Sequence, residues 1–263
     1  MDIFLHIPKT GGMTIRTATR WIYGWNGVHT TPKDVLHPKR VASSLDDPER
    51  MRLVRGHIAY GLHNHVSVPC RYFTMLREPV SRVISLYYYI KRGWPESEAA
   101  SLSLEEYIES GHHAYVPNDQ TRRLAGPPFP DDSSATSLLE RAQNHLQSSN
   151  LAFGITERFD AGLIYLKRQL EWPRQPLYVR TNTSSDRPTK EEIPPKVRKR
   201  IRDQNRLDVV LYDEATEQFN ANVEAISGFE KEVGQFQRTT TTISTIGSFF
   251  VKPYQYTKEL LFS

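Results

Sequence analysis

The sequence predicts an α/β fold, a parallel β-sheet flanked by helices. Two observations lead there. Short apolar runs bounded by turn residues, at positions 3–7, 52–58, 71–76, 152–155 and 177–179, alternate with stretches whose apolar side chains recur every three or four positions. The chain has 263 residues, 38% of them hydrophobic, and shows no internal repeat, so it suits one sizeable core. Sheets of this kind place their ligand sites at the C-terminal ends of the strands.

The first run, Ile3 to Ile7, reads as a buried strand stopped by Pro8, Gly11 and Gly12. A helical pattern follows on Ile15, Ala18 and Ile22. A strand that turns through glycines into a helix start offers unpaired N–H groups and a positive helix end, the parts of an anion site. Lys9 and the hydroxyls of Thr10 and Thr14 would stand beside it, with Gly11 and Gly12 in the turn. The sheet is therefore of P-loop type, although the Walker pattern puts its lysine after the last glycine and Lys9 precedes both. An ordinary turn containing a lysine is the bland alternative.

The second run leads to Arg55-Gly56-His57, with His63 and His65 beyond. At a strand end His57 would face the ligand crevice, and an imidazole with an ordinary pKa of ~6.5 is suited to taking a proton from a hydroxyl. Packing in the core is the alternative for all three histidines. A metal site at His63 and His65 lacks a supporting cysteine or carboxylate cluster, and no metal is expected. Cys70 is the single cysteine and reads as a small core residue; no internal disulfide can form, which suggests a reducing, cytoplasmic location.

The third run ends at Arg77. Pro79 then opens a helix to about residue 91 with a Val80, Val83, Ile84 and Tyr87 stripe, and Ser81 and Ser85 lie four apart on another face. Arg77 can grip a phosphate with two N–H groups, and a helix hydroxyl can add a bond. A surface arginine beside a helix cap is the alternative.

Further along, Ser103 to Glu106 is a capping box, and helical patterns occupy 137–146, 159–170 and 192–226, the last broken near Asn205. The Gly-, Pro- and Ser-rich stretch 126–134 reads as a loop. The basic run Lys196, Arg198, Lys199, Arg200 and Arg202 surrounds Val197 and Ile201, as on a helix with one buried stripe and a solvated face; a track for an acidic polymer is the sharper reading. After Gly228 the period fails. The expected division is a domain at 1–228 and a tail of unclear structure at 229–263.

A formal net charge of +4 suits an anionic ligand and does not indicate a nucleic-acid binder. Mean hydropathy is −0.55, and no apolar run approaches the ~20 residues that span a bilayer. The immediate entry into a strand leaves no room for a signal peptide, so a soluble chain is expected.

Together these residues resemble the PAPS-dependent glycan sulfotransferases, and the pattern is most similar to heparan sulfate 2-O-sulfotransferase and related uronyl sulfotransferases. The segment from Ile7 to Thr14 resembles that family's 5′-phosphosulfate loop. Leu76-Arg77-Glu78-Pro79-Val80-Ser81-Arg82 through Ser85 and Tyr89 resembles its 3′-phosphate segment. His57 falls where the family carries its catalytic histidine. Asn118-Asp119-Gln120 to Gly126, Phe153 to Phe159, and Tyr178 through Thr189 are weaker echoes. Met13 stands where Ser or Thr is usual, and Arg55 where the heparan branch has a second histidine.

The resemblance implies the sulfotransferase fold and an O-sulfotransferase using 3′-phosphoadenosine 5′-phosphosulfate (PAPS). It implies His57 as general base, Lys9 as catalytic cation, Lys9 to Thr14, Arg77 and Ser85 on the donor phosphates, and Asn182 and Ser185 covering the nucleotide. The acceptor would be a hydroxyl-bearing glycan. Glu78 is the next candidate base. An ATP- and Mg²⁺-dependent phosphotransferase and a non-catalytic polyanion binder stay open beside it, and the oligomeric state is not readable.

Overall fold

In a computed structural model the described residues are 1–24, 26–32, 36–111, 116–129, 135–179 and 188–250. Five strands form one sheet in the order β2-β3-β1-β4-β5: β1 (Asp2–Leu5), β2 (Val28–Thr30), β3 (Leu53–Gly56), β4 (Arg71–Leu76) and β5 (Leu151–Ile155). Every pairing is parallel; Ile3 sits opposite Val54 on one side and Tyr72 on the other. Parallel strands covered on both faces read as continuous apolar runs, and β1 and most of β4 are buried throughout.

The chain leaves β1 through α1 (Gly12–Tyr23), fills the β2-β3 side, and then crosses to β4 on the opposite side of β1. The order of strands therefore reverses at β1. At such a switch point the loops leaving neighbouring strands diverge and open a crevice above their C-terminal ends. The residues after β1, β3 and β4 border it.

The helices that build its walls follow from sequence. α3 (Pro79–Gly93) begins with Pro at its first turn and is capped by the Glu78 carboxylate, which accepts from the Val80 and Ser81 amides at 3.2 and 2.8 Å. Val80, Val83, Ile84 and Tyr87 pack with α5 (Leu104–Glu109) and α9 (Pro195–Gln204) in a small core of their own, through Tyr107, Ile108, Val197 and Ile201. Fully burying side chains of this size stabilises by ~1.5–3 kcal/mol each. Ser103 and Glu106 make the expected capping box at the start of α5.

Three departures from the sequence reading stand out. Residues 177–179 form no strand; Tyr178 is buried and donates its hydroxyl to Asp160 at 2.5 Å, outside any ladder. Several short elements were not foreseen, among them the three-residue strand β2 and α6 (Asp119–Ala125). The segment after Gly228 is the helix α11 (Phe229–Phe250), which places Phe229, Val233 and Phe236 in the main core. The expected boundary at 228 thus separates no packing unit there.

Asn205 interrupts the next helical pair, α9 and α10 (Arg206–Glu224), as expected. Its neighbours build a reciprocal cap. Asn118 accepts the Leu207 and Asp208 amides at 3.0 and 3.3 Å, while Asp208 accepts the Thr121 amide and hydroxyl at 2.8 and 2.7 Å. The starts of α6 and α10 are locked together.

Candidate active site

The loop after β1 has an unusual backbone. Lys9 has φ of +72° and Gly11 of +85°. The left-handed region suits glycine but carries strain of ~1–3 kcal/mol for a residue like lysine, a cost typical of functional loops. The turn is closed from inside: Thr10 is fully buried and donates its hydroxyl to the Ile7 carbonyl at 2.8 Å. Thr10 was expected to present that hydroxyl to a ligand. Facing inward, it leaves a ligand the loop's backbone.

α1 then starts at Gly12 with no side-chain cap and no acidic residue in its first turn. The opening amides of a helix have no intrahelical acceptor. α3 is different, because Glu78 already serves its start. An oxyanion therefore fits at α1 and is opposed at α3. Thr14 and Met13 lie half-buried in the first turn of α1, the Thr14 amide bonding back to Gly11 at 3.0 Å.

Both glycines have steric reasons. A Cβ on Gly11 would run into the Phe159 ring, and one on Gly12 would overlap the His6 imidazole. His6 was not singled out from sequence. It follows β1 directly, stacks on Phe4 at 5.3 Å between centroids, and stands 4.6 Å from the His57 ring. Period-two alternation puts Phe4 and His6 on one face of the strand exit, the signal that could have found it. Burial, reinforced by His57 and by the Arg123, Lys9 and Arg16 cations, holds His6 well below the usual histidine pKa. It is a neutral imidazole at physiological pH.

His57 follows β3 and is half-buried at the crevice. Its carbonyl accepts from Arg123 Nη1 at 2.7 Å. Arg77 follows β4; its Nη1 donates to the Lys9 carbonyl at 2.8 Å, and its Nε lies 4.0 Å from a Glu157 carboxylate oxygen. Lys9 Nζ sits 4.0 Å above the Tyr89 ring of α3. The structure thus brings Lys9, Gly11, Gly12, His57 and Arg77 to one end of the sheet. Ser85 lies two turns into α3 and is buried. Asn182 and Ser185 lie outside the described residues.

Arg55 is buried under α1. Its guanidinium donates to Thr30 Oγ1, the Arg16 carbonyl and Thr19 Oγ1, at 3.0, 3.1 and 3.2 Å. Burial, with Arg16 and Arg20 nearby, lowers its pKa to about 10. These contacts make Arg55 a strut between β3 and α1. Glu78, the fallback base, is committed to the α3 cap and lies 3.7 Å from Lys190.

The basic run on α9 is largely neutralised: Lys196 pairs with Glu105, Arg200 with Glu109 and Lys199 with Asp203, at 3.2, 2.9 and 2.7 Å. A polyanion track would need those charges available. His63 bonds through Nδ1 to the Tyr72 hydroxyl at 2.8 Å, so its ring belongs to a local packing cluster. Among the described residues, no group of three or more His, Cys, Asp or Glu side chains could hold a metal, and no helix is long and apolar enough to cross a membrane.

A family model described as Galactose-3-O-sulfotransferase matches residues 48–247. Galactose-3-O-sulfotransferase 3 from Bos taurus is 29% identical over 157 residues, which cover 54% of this chain and 36% of that protein. The match thus spans about a third of the curated relative's length. A sulfotransferase structure from Alicyclobacillus acidocaldarius aligns at 14% identity and a TM-score of 0.45, over 87% of this chain and 98% of its own.

Proposed function

The chain belongs to the galactose-3-O-sulfotransferase family, and on that premise we propose that it moves a sulfuryl group from PAPS to a carbohydrate hydroxyl, with His57 as the general base. One juxtaposition supports this most: the uncapped start of α1 lies between the strand exits that carry His57 and Arg77, and Arg77 is bonded to the Lys9 carbonyl at 2.8 Å.

The donor supplies an activated sulfuryl group, its leaving oxygen attached to the 5′-phosphate. In this reading the α1 amides and Lys9 neutralise charge as it gathers on that oxygen. Arg77 takes the 3′-phosphate, the group that separates this donor from ATP. His57 accepts the hydroxyl proton as the acceptor oxygen bonds to sulfur. His6 keeps the floor of the site uncharged, so that His57 works beside a neutral ring. An ATP-dependent phosphotransferase would place its lysine after the glycines, where this chain has Met13.

For the acceptor we place a galactose hydroxyl first, following the family, and the uronic acid suggested by the motif likeness second. The test has two parts. Calorimetry should show 3′,5′-ADP bound well above 5′-AMP and ATP, and labelled sulfate from PAPS should reach a β-galactoside more readily than a uronic acid polymer. His57→Ala should lose about 10²–10⁴ of the transfer rate while still binding 3′,5′-ADP. Equal binding of the three nucleotides would remove the donor assignment, and full activity without His57 would remove the base.

A further inference from the structure

Helix α6 bonds to both sides of the site. Near its start Gln120, 1% exposed, holds the Arg77 backbone twice: Arg77 N–H donates to Gln120 Oε1 at 2.9 Å, and Gln120 Nε2 donates to the Arg77 carbonyl at 2.9 Å. Near its end Arg123 donates through Nη1 to the His57 carbonyl at 2.7 Å, and its own carbonyl accepts the Tyr60 amide at 2.8 Å. A Cβ on Gly126, just past the helix, would run into the Tyr60 carbonyl.

Both grips are supported from behind. Asp119 accepts from Arg123 Nε at 2.9 Å and from the buried Arg82 at 3.4 Å, which fixes the Arg123 fork. Asp208 holds the α6 amides from α10. Bonds to both the N–H and the C=O of Arg77 hold the two peptide groups that flank its Cα, so the guanidinium starts from a fixed point. The His57 exit is tied down by one bond to its carbonyl and one to the Tyr60 amide.

We propose that α6 is the positioning element of the active site: Gln120 sets the pose of Arg77, Arg123 that of His57, and the seven-residue helix fixes the distance between donor phosphate and base. This rests on Arg77 as the 3′-phosphate ligand and His57 as the base. Neither Gln120 nor Arg123 need touch a substrate.

The test compares Gln120→Met and Arg123→Met with Arg77→Ala and His57→Ala, all in the full chain. It reads the affinity ratio of 3′,5′-ADP to 5′-AMP by calorimetry, and the single-turnover transfer rate across pH. Gln120→Met should shrink the ratio about tenfold through two lost hydrogen bonds and leave 5′-AMP affinity alone. Arg123→Met should keep the ratio, lower the rate by about 10²-fold and move the acid limb of the pH profile, with Arg123→Lys recovering part of the rate.

A folded Gln120→Met with an unchanged ratio, or a folded Arg123→Met with an unchanged rate and pH limb, overturns the proposal. Should Gln120→Met not fold, Gln120→Glu decides, because it keeps the acceptor for Arg77 N–H and loses the donor to its carbonyl. Unfolding of every α6 variant would assign the helix to stability alone and also overturn it. If Arg77→Ala leaves the ratio intact, the donor reading fails instead; if His57→Ala keeps the rate, the base reading fails.

Discussion

The imidazoles of His6 and His57 stand 4.6 Å apart, centroid to centroid, tilted by 56°. The approach depends on the bare Cα of Gly12 beneath His6, since a side chain there would occupy the His6 ring position. Gly12 therefore serves the packing of the two rings as well as the anion loop. Gly12→Ala should fold with His6 displaced and lose about 10²-fold in transfer rate, as small misplacements at reacting groups do. In a double-mutant cycle, His6→Ala should relieve the clash, so the pair would be less damaged than the sum of the singles. Additive effects would separate the two residues.

The same burial makes stability depend on pH. The folded His6 pKa lies well below its ordinary value; burial also lowers His63 and His145, with His145 acting on His63. Below the ordinary value of ~6.5 the unfolded chain binds protons that the folded chain refuses. Stability is then complete above ~6.5 and falls as pH drops toward the folded values. The geometry at His63 allows this: Tyr72 OH accepts the His63 amide at 3.0 Å and lies 2.8 Å from Nδ1, where a neutral imidazole can accept the hydroxyl proton. Urea midpoints should decline from about pH 7 to about pH 5, and less steeply in His6→Gln. A flat profile would contradict the neutral assignments.

Glu78 and His57 are separable by substitution. Glu78 accepts two amides at the start of α3, so Glu78→Ala should cost about 0.5–2 kcal/mol of stability through the lost cap. Glu78→Gln, which retains an acceptor oxygen, should keep most of the stability and the transfer rate. A collapse of the rate in a stable Glu78→Gln would restore Glu78 as candidate base.

What could be read from the sequence follows from where the physics is local. β1, β4 and β5 are apolar runs next to turn residues, and Glu78-Pro79 and Ser103-Glu106 are caps complete within four positions. β2 was missed because a three-residue, partly exposed strand has too little pattern. The α11 stripe on Phe229, Val233, Phe236 and Thr240 has helical spacing, but one of its buried members is a threonine inside a polar run. Residues 177–179 have strand composition and no ladder to join. At the site, the loop, His57 and Arg77 stood out by residue type and strand-end position. Gln120 and Arg123 did not, since their partners lie 43 and 66 positions away and only the fold brings them together.

The Asp208 carboxylate tests how far the α6 lock depends on buried charge. Asp208 is inaccessible to solvent, accepts from Thr121 N–H and Oγ1, and lies 3.8 Å from Arg82 Nη2. Burial raises its pKa, and Arg82 and the Thr121 bonds oppose that rise. Asp208→Ala removes the cap of α6 and strips one of two carboxylates from an arginine that is 1% exposed. Breaking a buried pair in this way costs about 3–5 kcal/mol. Thr121→Val removes one neutral hydroxyl bond, for about 1 kcal/mol. Urea unfolding should therefore rank Asp208→Ala well below Thr121→Val. Equal losses would mean that Asp119 alone neutralises Arg82, and that the second carboxylate serves only as a cap.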